Sequence, residues 1–298
     1  MSEPIIVAEG LTKTYGPVNA CDNVTFVINR GDILGLVGKN GAGKTTLIRM
    51  LTNLAKPTRG TFTINTSGPR TDTSVAALVE KPSFFGNMTG MDNMICQCKL
   101  LGVPVNKAHC AETLRLVGLE PTLATKSKNY SLGMRQRLAI ALALVGGPEL
   151  LILDEPTNGL DPQGIYEMRE LFVKLNREMG VTLLISSHIL SELGKFATNY
   201  VFMDKGHVVK EITNEDLLKE CQKALRLHVS DPDLANKLLS DKYQVRIGSD
   251  FVEVLDENAT VSDVVATLAA ANVTVSNVST VGNNLEDYYL NLIGGGAR

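Results

Sequence analysis

Gly38-Lys39-Asn40-Gly41-Ala42-Gly43-Lys44-Thr45-Thr46 is the stretch whose reading decides the fold. A glycine, four residues and then Gly-Lys-Thr is the pattern of a phosphate-binding loop. Glycines let the backbone curl and bring its N–H groups close to oxyanions. The helix that follows adds unpaired N-terminal amides and the positive end of its dipole. Lys44 supplies a mobile positive charge for the β- and γ-phosphates, and the Thr45 hydroxyl is a ligand for Mg²⁺. The flanks agree. Asp32-Ile33-Leu34-Gly35-Leu36-Val37 reads as a buried parallel strand, and Leu47, Ile48, Leu51 and Leu54 recur at helical spacing.

Working outward, Leu150-Leu151-Ile152-Leu153-Asp154-Glu155-Pro156 is an apolar strand ending in two carboxylates. An acid at that end of a core strand faces the metal on a phosphate-loop ligand, so Asp154 is expected to hold Mg²⁺ directly or through water. Glu155 is then placed to polarise the attacking water as a general base. Val181-Thr182-Leu183-Leu184-Ile185-Ser186-Ser187-His188 repeats the design, with His188 a candidate for contacting the γ-phosphate.

The rest of the core follows the same β-rich pattern. Ile5 to Ala8 and Val24 to Ile28 read as strands, as do Thr61 to Ile64 and Val75 to Val79. Residues 91 to about 144 turn helical, a helical insertion between two β-rich stretches. Tyr200 to Met203 and His207 to Ile212 read as a hairpin turning at Asp204-Lys205-Gly206. Tyr15 falls in a loop segment upstream of the phosphate loop; by position it is equally a stacking platform for a purine and an ordinary partly buried tyrosine. Beyond a connecting helix at 214–223, the order βαββαβ plus a last helix suggests a small α+β ferredoxin-like domain, read as regulatory or dimer-stabilising. The tail from Gly294 to Arg298 is expected to fray.

Bulk numbers exclude several classes. At 298 residues and 44% apolar content, the chain can fill one large and one smaller domain, and a net charge of −3 gives no nucleic-acid footprint. The apolar runs, such as Leu138 to Val145, fall well short of the roughly 20 residues that span a bilayer. Met1-Ser2-Glu3-Pro4 does not open a signal peptide, so a cytosolic chain is expected. Five cysteines without framework spacing suit a reducing compartment. Cys96-Gln97-Cys98 with His109-Cys110 is read as helix packing in preference to a zinc site, which wants two well-spaced ligand pairs.

Tyr130-Ser131-Leu132-Gly133-Met134-Arg135-Gln136-Arg137 precedes an apolar helix and resembles the signature motif of ABC-type ATPases. Gly159-Leu160-Asp161-Pro162 resembles their D-loop, His188 their switch histidine, and Tyr15 their adenine-stacking aromatic. The resemblance covers roughly Ile5 to Ile212 in the family's order. It implies an α/β P-loop ABC-type ATPase core, a mixed sheet with a helical subdomain at about 88–145, over residues 1–222, with residues 223–298 as the accessory domain. It also implies ATP and Mg²⁺ as cofactors. Ser131, Leu132, Gly133 and Met134 would reach the γ-phosphate held by the opposite subunit of a homodimer, and hydrolysis would let the halves open. A membrane permease is the implied partner, which places the chain on the cytoplasmic face of the cell membrane.

Two departures narrow the group. Glu80 stands where the family usually places a glutamine, while Leu132 and Met134 replace a glycine and a glutamine of the signature. Val79-Glu80-Lys81-Pro82 and Tyr-Ser-Leu-Gly-Met resemble the bacitracin and lantibiotic self-protection exporters, as does Asn284-Leu285-Glu286-Asp287-Tyr288-Tyr289-Leu290. Glu80 is thereby expected to touch the metal or its waters and to link the nucleotide site to the permease groove. The alternatives are the motor of another drug or sodium exporter, a soluble non-transport ABC-type ATPase, and a small-molecule kinase.

Overall fold

The computed structural model describes residues 3–67, 73–80, 83–221, 224–256, 259–281 and 285–294. Met1-Ser2, Lys81-Pro82, residues 222–223, Asn284 and the expected fraying end at 295–298 lie outside those residues. The chain divides into two compact units, Met1–Asn214 and Glu215–Arg298.

The first unit opens with β1 (Pro4–Tyr15), β2 (Val18–Asn29), β3 (Ile33–Val37) and α1 (Lys44–Leu51), then β4 (Arg59–Ile64) and β5 (Val75–Leu78). Helices α2 (Gly90–Leu100), α3 (Lys107–Leu116) and α4 (Leu132–Leu144) come next. They are followed by β6 (Leu150–Leu153), α5 (Pro162–Met179), β7 (Thr182–Ser187), α6 (Leu190–Leu193), β8 (Asn199–Asp204) and β9 (His207–Thr213).

A six-stranded sheet runs β5-β6-β7-β3-β8-β9, parallel through β8, with β9 antiparallel at its edge. Strands β3, β6 and β7 are buried at every position, as a sheet covered on both faces requires. A three-stranded antiparallel sheet, β2-β1-β4, completes the mixed architecture. Leu34, Leu36, Leu47, Ile48, Ile152 and Leu184 join Phe26 and Ile28 in one apolar core, so the phosphate-loop strand and its helix are anchored in it. Tyr15 is corrected from loop to strand: it ends β1 opposite Val18.

The helices between β5 and β6 have local reasons to start where they do. Thr89 and Asp92 form a reciprocal capping box on α2, and the Asn106 side chain accepts the Ala108 and His109 amides of α3. Cys98 and Cys110 pack α2 against α3, with buried sulfurs 3.8 Å apart. Helix α4 carries buried residues from Leu138 through Leu142, the mark of a helix enclosed on more than one side.

The second unit begins with α7 (Asn214–Cys221), a helix inside the 1–222 range expected for the ATPase core. It continues with β10 (Ala224–Val229), α8 (Pro232–Leu239), β11 (Val245–Ile247), β12 (Phe251–Val254), α9 (Val261–Ala270), β13 (Val275–Val281) and α10 (Leu285–Gly294). The sheet order is β11-β12-β10-β13, all antiparallel, which is the ferredoxin-like arrangement. Leu227, Val252 and Val254 meet Ala235, Leu239, Val264 and Leu268 in a separate small core.

Candidate active site

The phosphate loop leaves the end of β3, and the Gly38 N–H donates to the Ser187 carbonyl at 3.3 Å. Lys39 to Thr46 with Ala20 and Glu155 line a cleft of about 340 Å³. Gly43 is at φ 103°, and a Cβ there would stand 2.4 Å from the Ala20 carbonyl oxygen. Only glycine satisfies both the dihedral and the space. Cys21 lies beneath the loop, its thiol 3.4 Å from the Gly43 carbonyl and pushed up to about 12 by burial.

Lys44 is almost wholly enclosed, at 5% exposure. Its Nζ donates to the Gly38 carbonyl at 2.5 Å and to the Lys39 carbonyl at 3.3 Å, and it stands 3.1 Å from Glu155 Oε1. That last approach is electrostatic only, because buried Oε1 makes no aligned hydrogen bond. An enclosed ammonium on two loop carbonyls, beside an unsatisfied carboxylate oxygen, is an arrangement ready to exchange partners.

Strand β6 delivers both acids. Asp154 Oδ2 accepts from Thr45 Oγ1 at 2.8 Å, and Oδ1 accepts from Ser186 Oγ at 2.6 Å. Glu155 sits at φ 49°, a left-handed conformation that turns its side chain back over the loop. Its second oxygen lies 2.8 Å from His188 Nδ1. Lys44, Thr45, Asp154, Glu155 and His188, assigned separately from three sequence segments, therefore meet in one site. The hydroxyl and carboxylate oxygens of Thr45 and Asp154 are hard donors that fit Mg²⁺, and the glycine cradle fits a polyphosphate.

Other expected residues lie elsewhere. Glu80 follows β5 at φ 65°, and its carboxylate pairs with Arg49 of α1, with neither Thr45 nor Asp154 among its described partners. Tyr15 is 47% exposed, with Lys13 Nζ 5.2 Å from its ring centroid. Ser131 caps α4, its hydroxyl accepting the Met134 amide at 3.2 Å. Leu132 leans on the D-loop, where a Cβ on Gly159 would meet its Cδ2 at 3.1 Å. Asp161 caps α5 by accepting the Gly164 amide at 3.1 Å. The described side-chain hydrogen bond of 131–134 stays within α4 and does not reach the phosphate loop of the same chain.

Sequence reasoning missed Ser186 and Arg49. The signal for Ser186 was present: a hydroxyl where an apolar strand should have continued. Arg49 carried no signal, because it lies on α1 and its partner, Glu80, lies 31 residues away, past the end of β5.

Known proteins agree with this geometry. A family model described as ABC transporter matches residues 21–158. The bacitracin transport ATP-binding protein BcrA of Enterococcus faecalis is 38% identical over 99% of this chain and 98% of its own length. The lantibiotic transport ATP-binding protein SrtF of Streptococcus pyogenes is 39% identical over 71% of this chain and 93% of its own. Among solved structures, the dimeric post-hydrolysis state of the ATP-binding cassette MJ0796 bound to ADP and Pi aligns at TM-score 0.62 and 25% identity, covering 70% of this chain and 98% of that one. With Lys44, Asp154, Glu155 and His188 gathered at one loop, and likeness to a transport ATP-binding protein along nearly its whole length, the chain belongs to the ATP-hydrolysing, ATP-binding proteins of ABC transporters.

Proposed function

We propose that the chain is the motor subunit of an exporter for bacitracin- or lantibiotic-type antimicrobial peptides, serving export or self-immunity. It acts as an ATP-sandwiched homodimer on a separate membrane permease. No helix among the described residues is long and apolar enough to cross a membrane, so the path for the peptide must belong to that partner. The subgroup reading draws support from BcrA, because the likeness includes the second unit as well as the ATPase core. It places the chain peripherally, on the cytoplasmic face.

One observation carries the chemical reading: Glu155 is suspended between Lys44 and His188, one carboxylate oxygen toward each. A triphosphate entering the cradle attracts Lys44 to its β- and γ-oxygens, which frees Glu155 Oε1 to accept a proton from water. Thr45 and Asp154 would hold Mg²⁺, which supplies charge neutralisation to the transferring phosphoryl group. His188 keeps the carboxylate aimed and contacts the γ-phosphate. Tyr15 offers an open ring face to adenine. Ser131 and the Gly133 amide, flanked by Leu132 and Met134, close the site from the partner subunit, and Asp161 lies at the same interface. Glu80, tied to Arg49 of the loop's own helix, is placed to relay nucleotide state toward the permease groove.

The test joins biochemistry to a cell assay. The purified chain should hydrolyse MgATP and co-purify with a membrane permease. Cells lacking it should become more sensitive to bacitracin or a lantibiotic, and a plasmid copy should restore resistance. Intact ATPase with no change in sensitivity to either class would remove the substrate assignment and favour another drug or sodium exporter.

A further inference from the structure

Ser186 is bonded to both acids of the site and belongs to none of the motifs that identify it. It lies on β7, between the strand that carries the two acids and the strand that feeds the phosphate loop. Its main chain is registered opposite Leu36 of β3, and its side chain is fully buried. A hydroxyl has one proton to give and lone pairs to receive. Here both capacities are used on adjacent catalytic residues: Oγ donates to Asp154 Oδ1 at 2.6 Å and accepts the Glu155 N–H at 2.8 Å.

We infer that Ser186 is a positioning residue for both acids, setting the metal-binding face of Asp154 and the backbone turn of Glu155 through one hydroxyl. Consider Asp154 first. A carboxylate on a strand end is free to rotate about its terminal torsion. With Oδ1 held by Ser186, Oδ2 is left facing Thr45, the other oxygen donor expected at the cation. The site is thus pre-set before any cation arrives, and less ordering remains to be done on binding. Glu155 depends on the same atom. Its φ of 49° is sparsely populated for a residue with a Cβ and must be held by its surroundings. The N–H to Ser186 Oγ bond is the described side-chain anchor of that amide. Released from it, the backbone would be free to relax toward negative φ and swing the carboxylate off the line between Lys44 and His188.

The chemistry at position 186 is accordingly narrow. Alanine supplies neither bond and leaves a buried N–H unsatisfied. Cysteine has nearly the right shape but donates and accepts weakly. Threonine keeps the hydroxyl and suits a strand.

This inference rests on the assignment of Asp154 to the metal and Glu155 to the water, and the experiment separates the two levels. ADP affinity of the full chain is measured calorimetrically with excess Mg²⁺ and with EDTA, for wild type, Asp154→Asn, Ser186→Ala, Ser186→Cys and Ser186→Thr. Wild type should bind ADP more tightly with Mg²⁺, and Asp154→Asn should lose that advantage; no advantage in wild type would overturn the underlying assignment. Ser186→Ala should cut the Mg²⁺ advantage about tenfold, the scale of one charge-assisted hydrogen bond, with affinity in EDTA unchanged. Ser186→Cys should resemble alanine, and Ser186→Thr should restore both the advantage and ATP turnover. An undiminished Mg²⁺ advantage in Ser186→Ala overturns the proposal. So does an equal loss of affinity with and without Mg²⁺, which would mark Ser186 as only a packing residue. If Ser186→Ala does not fold, the cysteine–threonine contrast decides: equal Mg²⁺ advantages in those two would overturn it.

Discussion

Replacing Glu155 by glutamine removes one charge and almost no volume. The left-handed turn at φ 49° is retained, because glutamine meets the same backbone sterics as glutamate. The functional geometry is not retained. The two carboxylate oxygens stand 3.1 Å from Lys44 Nζ and 2.8 Å from His188 Nδ1. An amide fills one of those places with an NH₂ group, which cannot take a proton from water. Loss of a positioned general base costs about 10²- to 10⁴-fold in rate. At 1.36 kcal/mol per decade this is roughly 3–5 kcal/mol of transition-state stabilisation. ATP binding should survive, since the cradle amides and Lys44 are untouched and one negative charge has left the neighbourhood of the γ-phosphate. Phosphate release from radiolabelled ATP in single-turnover mode isolates the chemical step, and a fluorescent ATP analogue reports affinity. A variant that hydrolyses within about threefold of wild type would show that Glu155 does not act on the water.

Three further predictions concern residues around that centre. Tyr15→Ala should weaken ATP binding by about 1–3 kcal/mol, the scale of one base stacked on an aromatic ring, and Tyr15→Phe should leave it near wild type; equal affinities for all three in a binding titration would remove the stacking role. Gly43→Ala places a methyl 2.4 Å from the Ala20 carbonyl at φ 103°, so nucleotide affinity should fall at least about tenfold, and a normal Kd would contradict the cradle. Burial alone would raise the Glu149 carboxyl, but its bonds to Arg30 and Ser67 outweigh burial and hold it below the usual range. Its contribution to stability is therefore full above the unfolded value near pH 4.3 and is lost as pH falls through the lower folded value. The difference in urea midpoint between wild type and Glu149→Gln should stay constant from pH 6 to 8 and vanish in acid; a difference that grows in acid would contradict the sign.

What could be read in advance follows from where the information sits. The phosphate loop, the Asp154-Glu155 pair and His188 are each local: an apolar run, then a polar residue where the strand ends. Parallel topology then forces such ends to one edge of the sheet, which is why residues from three segments converge. Tyr15 reads as a loop residue by position, upstream of the phosphate loop; in the structure, left-handed Gly10 and Asn23 accompany register shifts that break the alternation of the β1–β2 pair it ends. Glu80 was legible as a strand-end acid, but its direction depends on φ 65° and on Arg49, neither of which sequence spacing encodes. The position of Ser186 was visible as a hydroxyl in an apolar strand, but its bonding partners were not. A buried serine in a strand shows what it bonds only when the neighbouring strands are in register. Helix α7 reads as a tail of the ATPase core by proximity, yet its Glu220 accepts from the Tyr288 hydroxyl of α10 at 2.8 Å, a pairing 68 residues apart.

The most direct test of the account asks whether ATP joins two copies through Ser131. Light scattering of the Glu155→Gln full chain should give twice the monomer mass with MgATP and the monomer mass with MgADP. Adding Ser131→Arg should return the MgATP sample to monomer while ATP remains bound. A monomer with MgATP, or a dimer indifferent to Ser131→Arg, would contradict an ATP sandwich closed by the partner's signature.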